Sequence, residues 1–358
     1  MAAAFLKPPT ICMISALCFC SMFLFASVTA AEPVVINAVG DIMLAGKGTA
    51  TYENLGYDHP FASVAHELQT ADITIGNLEA PITRYGTEFT GKKFRFRTSP
   101  KAAEAMQRAG FLVLTLANNH IMDFGAVGLR ETLRNLNNAS ILHTGAGENL
   151  NMARKSALVR VGEKRIAFLA YSLTFPPEFY ARRHRAGTAP GIGSYFAKDI
   201  AKAKSVADHV IVSFHWGAER ATGPKPYQIT AAYKAINAGA DIVIGHHSHV
   251  LQGIEFYKGG VIFYSLGNFA FGSTSPSSDI SIIARLTLDK GIKEVELIPL
   301  NVLNSEIHFQ PKVLKGERGL AAIRRLNKLS KPLGTQVLFT GKRYIAVEAD
   351  AARRLAQD

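Results

Sequence analysis

The sequence predicts an α/β protein with a mixed sheet or a two-sheet sandwich. Short apolar runs alternate with segments of helical period as far as Tyr264, and alternating strands follow from Asp279 onward. Several of the apolar runs stop abruptly at polar or metal-binding residue types. With 358 residues, 48% hydrophobic and 19% charged, the chain is long enough for a large core and unlike a disordered one.

The first thirty residues follow a different logic. Lys7 is the only charge before Glu32, and residues 11–28 are nearly all apolar. Val28-Thr29-Ala30 places small residues where a signal peptidase cleaves, so residues 1–30 read as a secretory signal peptide or as an uncleaved N-terminal anchor. The expected address is the periplasm or the outer face of the cytoplasmic membrane. Cys12, Cys18 and Cys20 all lie in this segment. Beyond it there is no disulfide, no thiolate nucleophile and no cysteine zinc ligand to invoke. Any metal there must be held by His, Asp, Glu or Asn, a donor set for a harder divalent ion. The net charge of +12 points to an anionic partner. Nucleic acid is disfavoured by the exported address.

Val34–Val39 is the first buried strand and leads into Gly40-Asp41. Asp58–Gln69 has helical spacing. Asp72–Ile75 is a second strand, running into Asn77-Leu78-Glu79. The basic run Lys92–Arg97 alternates Arg with Phe and reads as a strand with one basic face. Lys101–Ala109 is a helix, and Phe111–Leu116 is a strand ending in Asn118-Asn119-His120, with Asp123 just beyond. Val127–Leu136 is a helix with Val127, Leu129, Leu133 and Leu136 toward the core. Ser156–Val161 and Arg165–Tyr171 form a hairpin about Gly162-Glu163. Residues 174–195, rich in Pro, Gly and Arg, read as a long functional loop or lid. Asp199–Ala207 is a helix, and Val210–Phe214 is a strand ending at His215. The helix Tyr227–Ala238 precedes the strand Ile242–Ile244, which stops at Gly245 before His246, His247 and His249. Ile254–Tyr257 and Val261–Tyr264 form a hairpin leading to Asn268. Ile280–Leu288 and Ile292–Ile298 are alternating strands, and Glu317–Leu329 is a helix. Residues 31–300 are read as the main domain, and residues 301–358 as a C-terminal extension packed on it.

Five strand ends thus carry Asp41; Asn77 and Glu79; Asn118 to His120; His215; and His247 with His249. Any one of these is ordinary turn chemistry. Four histidines among five turns are not, because turns favour Gly, Pro, Ser and Asp. Ligands of open α/β proteins gather at the carboxyl ends of strands. Strand-like alternation puts His247 and His249 on one face and leaves His246 a bystander on the other. Imidazoles and carboxylates in this pattern suit one or two divalent ions, with an uncoordinated His as proton donor.

The motifs GDIML (40–44), NLEAPIT (77–83), LANNHIMDFG (116–125), SFHWGAE (213–219), GHHSHVLQGIE (245–255) and YSLGNFAFG (264–272) resemble the CapA family of bacterial poly-γ-glutamate capsule synthesis. That family is similar in fold to the calcineurin-like metallophosphatases. The resemblance implies a four-layer α/β/β/α sandwich with two mixed sheets and a two-metal site occupied by Mn, Zn or Fe. It implies Asp41 and His249 on one metal, Asn119, His215 and His247 on the other, and Glu79 between them. His120 would be the proton donor, oriented by Asp123. Arg182, Arg183 and Arg185 in the long loop, and Asn268 in the last motif, are candidates for substrate contact. The sequence departs from the phosphatase pattern at Met43, where a histidine is expected, and at Glu79, where an aspartate is usual. The implied partners are an anionic polymer or a phosphoester, and a membrane-bound synthesis complex.

Overall fold

The computed structural model describes residues 32–355. The segment expected to be a signal peptide or anchor lies outside the described residues. Two mixed sheets form the centre. One runs in the order Thr335–Phe339, Tyr344–Glu348, Ile292–Asn301, Ile280–Leu288, Val34–Met43, Ile73–Leu78, Phe111–Thr115 and Leu142–Thr144. Asn268–Phe271 also pairs with Val34–Met43, in parallel. The other runs Ile254–Tyr257, Gly260–Phe263, Ile242–His246, His209–His215, Lys164–Ser172 and Ala157–Val161. Its four central strands are parallel and its edge strands antiparallel.

Period-two alternation in the strands sorts the apolar residues into layers. Ile36, Ala38, Ile73 and Ile75 of the first sheet meet Ile166, Phe168, Ile211, Ile242 and Ile244 of the second in one shared core. On the far side of the first sheet, Val39, Leu114 and Leu116 pack with Met106 and Leu129 from the helices Lys101–Ala109 and Gly125–Asn138. On the far side of the second, Leu169, Tyr171, Val212 and Phe214 pack with Phe196, Ile200 and Ala232 from Tyr195–Lys204 and Pro226–Asn237. Helices, sheet, sheet and helices are the four layers, as the resemblance implies.

Some local expectations need correction. Lys92–Arg97 is not a strand: the chain there is irregular, and Lys92 turns inward. Val127 is exposed, because the helix begins at Gly125 and presents Leu129 and Leu136 to the core instead. Asp58–Gln69 is broken into the turn His59–Phe61, which contains Pro60, and the short helix Ala65–Gln69. Asp199–Ala207 is shifted toward its N-terminus, as Tyr195–Lys204. The polar tail contains two strands that extend the first sheet.

The backbones cross very closely where the strands reach the site. A Cβ on Gly40 would sit 1.9 Å from the Gly267 carbonyl oxygen, and one on Gly245 would sit 2.0 Å from that of Tyr264. Both glycines immediately precede polar site residues, so the close approach also fixes Asp41 and His246. Gly40→Ala is expected to destabilise the fold by roughly 1–3 kcal/mol, as overpacking of a tight core does. A lowered Tm in thermal denaturation checks this.

Candidate metal centre

Val34–Met43 carries Asp41, which the loop register seats with its N–H on Gly267 O at 3.0 Å. Ile73–Leu78 carries Asn77 and delivers Glu79, whose N–H donates to Ile42 O at 2.8 Å. His209–His215 ends on His215, and Ile242–His246 ends on His246, the two paired across the sheet. His247 and His249 follow in left-handed backbone, with φ of 88° and 58°. Histidine rarely adopts that region, and such strain concentrates at functional sites.

These elements converge on two fully buried carboxylates. Asp41 Oδ1 lies 2.9 Å from His246 Nδ1 and accepts from Asn77 Nδ2 at 2.9 Å. Its Oδ2 lies 3.2 Å from His249 Nδ1 and accepts from His247 N–H at 3.2 Å. Glu79 Oε1 stands 3.4 Å from His215 Nε2 and 3.8 Å from His249 Nε2, and hydrogen-bonds to neither. His247 Nδ1 is likewise buried without a partner. Asn119 Oδ1 is 2.8 Å from His215 Nε2. Glu79, His215 and His247 bring ligand atoms within 4.8 Å of one another, and so do Asp41, Glu79 and His249. The two groups share Glu79.

Electrostatics follow from burial and crowding. Burial opposes the charge on Asp41, but the contacts from His246 and His249 outweigh it and hold the carboxyl well below its ordinary range. Burial, with Asp41 alongside, pushes Glu79 well above. Burial and the neighbouring His247 hold His215 far below an ordinary imidazole. Burial and His249 bring His247 down to about 3. His249 is lifted to about 9, because Glu79 and Asp41 overcome the effect of burial. Two carboxylates, three histidines and unpartnered buried atoms on Glu79 and His247 fit a divalent cation by donor chemistry.

Beside this cluster stands the pair His120 and Asp123, with Nδ1 of the histidine 2.7 Å from Asp123 Oδ2. Asn118 Oδ1 accepts from the N–H groups of His120 and Ile121, which fixes the turn. Phe96 N–H donates to the same Asp123 oxygen at 2.8 Å. Burial lowers His120 despite Asp123.

Five residues are placed in ways that differ from the sequence reading or are absent from it. His246 is no bystander: it is buried against Asp41, because the strand continues through it and turns only afterward. His247 and His249 reach the site through left-handed backbone, not through strand alternation. Asn268 is buried with its Oδ1 3.0 Å from His249 Nδ1, so it orients a histidine. In the sequence Lys92 is one cation of a basic run. Its ammonium donates to Asp123 Oδ1 at 2.6 Å and to Asn119 O, and lies 2.9 Å from His120 Nδ1. Nothing in a run of alternating Lys, Arg and Phe singles out the one cation that turns inward. Arg182 and Arg183 are exposed, and Arg185 donates to Tyr180 O at 2.9 Å. Among the described residues none of these three side chains touches the histidine cluster. Met43 is buried with Ala45, Ala80 and Phe271 in a small apolar cluster.

A four-layer sandwich with histidines and two buried carboxylates gathered at strand ends is the arrangement that the sequence resemblance implies. The chain belongs to the bacterial capsule synthesis protein family PGA_cap, whose model matches residues 35–273. The capsule biosynthesis protein CapA of Bacillus anthracis is 33% identical over 279 residues, covering 76% of this chain and 68% of that protein. The PGA biosynthesis protein CapA of Bacillus subtilis is 34% identical over 267 residues, covering 74% and 70%. Among solved structures, the calcineurin-like phosphoesterase YfkN of Bacillus subtilis aligns with a TM-score of 0.48 at 13% identity, over 84% of this chain and 98% of that one.

The perturbed histidines give the metal-free protein a predictable pH profile. His249 binds its proton more tightly folded, at about 9, than an unfolded histidine near 6.5. Its stabilising contribution is complete below about 6.5 and disappears as pH rises through about 9. His247, at about 3, cannot take the proton that the unfolded chain accepts. Its contribution is complete above about 6.5 and falls away on acidification. With chelator present, Tm against pH is expected to peak near pH 6.5, and His249→Gln to flatten the alkaline limb.

Proposed function

We propose that this chain acts at the outer face of the cytoplasmic membrane or in the periplasm, in the synthesis, export or attachment of poly-γ-glutamate or a similar anionic polymer. It does so through a metal-dependent hydrolytic or transfer site. Family membership and the names of its relatives support the polymer. The observation that carries the chemistry is the pair of ligand groups joined through Glu79, with its Oε1 buried and unpartnered.

Asp41, Glu79 and His249 would hold one cation, and Glu79, Asn119, His215 and His247 a second. A divalent ion in such a setting supplies Lewis-acid polarisation of a bound carbonyl or phosphoryl oxygen and activates water. The remaining work falls to the protein. Asn77 donates to Asp41 and stands 3.3 Å from His215 Nδ1, so it locks a carboxylate and an imidazole together. Asp123 faces His120 Nδ1, which leaves Nε2 as the atom that exchanges a proton with the leaving group. Lys92 ties Asp123 to the Asn119 backbone and keeps that proton donor beside the ligand segment.

A phosphomonoesterase or phosphodiesterase would use the same residues and is favoured by the ligand groups themselves. A non-catalytic polymer-binding scaffold draws its support from Met43, which fills a ligand position with an apolar side chain packed against Phe271.

The full-length protein is expected to bind at least one Mn, Zn or Fe ion per chain by elemental analysis. Uptake releases protons, because His249 must lose its own to coordinate. Metal affinity therefore rises with pH up to about 9, which titration calorimetry in buffers of different ionisation enthalpy measures. Poly-γ-glutamate and a generic phosphodiester assayed in parallel separate the readings. His120→Ala is expected to lower polymer turnover by about 10²–10⁴-fold, the range of a lost general acid, while metal content is kept. Turnover of the phosphodiester alone would overturn the polymer reading, and a folded, metal-free protein would overturn the enzymatic one.

A further inference from the structure

Residues 301–358 hold eleven lysines and arginines against five aspartates and glutamates, a net +6 of the chain's +12. They lie beyond the stretch that the family model matches. The charge is not spread evenly. The helix Gly316–Ser330, the strand Thr335–Phe339 and the helix Ala349–Leu355 enclose a cleft of about 610 Å³ lined by Arg324, Lys328, Lys331 and Arg353.

Arg324, Lys328 and Lys331 follow one another at helical spacings of four and three, so they share one face as a row about 10 Å long. All three are exposed. Arg324 has only a long contact of 3.7 Å with the exposed Glu317, and Arg353 is paired with Asp350. Lys328 and Lys331 make no ion pair among the described residues. At the bottom of the cleft, Thr335 is 1% exposed and its hydroxyl has no hydrogen-bond partner. Like charges held in a row around a buried, unsatisfied hydroxyl are unfavourable unless an anion arrives. A single small anion needs donors that converge on one point. A row needs a ligand with several charges in sequence.

The core face of the helix that walls the cleft packs on the segment that follows the histidine cluster. Four residues after His249, Gly253 abuts Leu329 and Leu333, and Ile254 N–H donates to Ser330 Oγ at 3.0 Å. Four residues span at most about 14 Å. The helix that walls the cleft is thus tied to the segment that leaves the histidine cluster.

We propose that this cleft is a second, non-catalytic binding site for an extended polycarboxylate, separate from the metal centre. The identity of the polymer as poly-γ-glutamate rests on the function proposed above, and the cleft's preference for an extended polyanion does not.

The test is fluorescence anisotropy of labelled poly-γ-glutamate titrated with the full-length protein in chelator, so that metal plays no part. The variant Arg324→Gln/Lys328→Gln/Lys331→Gln is expected to bind at least about tenfold more weakly, with a shallower salt dependence and with Tm and metal uptake unchanged. A control of equal charge change elsewhere, Arg130→Gln/Arg160→Gln/Arg165→Gln, is expected to bind as wild type does. Thr335→Val, which keeps every charge, is expected to weaken binding a few-fold. Equal binding by the cleft variant and wild type would overturn the cleft alone and leave the polymer reading standing. Equal weakening by the control would show a net-charge effect and overturn the cleft as a site. Competition by inorganic phosphate as effective as by polymer would replace the polycarboxylate site with a single-anion site. A wild type that takes up metal but binds no polymer would overturn both readings.

Discussion

Everything at the functional end of this molecule depends on keeping two carboxylates, Asp41 and Glu79, entirely out of water and next to one another. Buried charge is tolerated only where it is paired or coordinated. The two acids meet that demand differently. Asp41 is surrounded by His246, His249, Asn77 and the His247 amide, and its charge is stabilised by the protein itself. Glu79 keeps one oxygen with no donor, between His215 and His249. One carboxylate is satisfied by the fold, and the other keeps an oxygen that the described residues leave unsatisfied. That asymmetry explains why the first is driven toward ionisation and the second away from it.

The four layers supply the rigidity that such an arrangement needs. The strands bearing Asp41, Asn77, His215 and His246 sit in two sheets whose inner faces share one apolar core. Side chains at their ends are therefore placed by the packing of Ile36, Ile75, Ile211 and Ile244 rather than by loop flexibility. Close crossings at Gly40 and Gly245 remove the remaining slack. The strain in His247 and His249 is sustained by this frame, because neither left-handed residue would hold its conformation in a free loop.

The His120 and Asp123 pair adjoins the ligand cluster through Asn119, and Lys92 binds the two units together. A cation that approaches both an acceptor carboxylate and an imidazole nitrogen ties the flanking segment 91–97 to the site. The basic surface has thus two parts of different character. Lys92 is turned inward onto Asp123, whereas the row at Arg324, Lys328 and Lys331 is exposed along one wall of a cleft.

By itself the sequence determined the fold class and most strand positions, because apolar alternation and strand-ending polar residues are local signals. It also marked Asp41, Glu79, Asn119, His120, His215, His247 and His249, since four histidines gathered at five strand ends exceed ordinary turn chemistry. Tertiary structure alone decided which of them meet. His246 joins Asp41 because its strand runs one turn of alternation further than the glycine before it implies. Lys92 leaves an apparent strand to reach Asp123, and Asn268, a candidate substrate contact, is buried against His249. The cleft at Arg324 was invisible as well, because three elements separated along the chain must fold together before their charges share a space. Contacts between distant residues depend on register and backbone hand, and a single sequence carries neither in its local pattern.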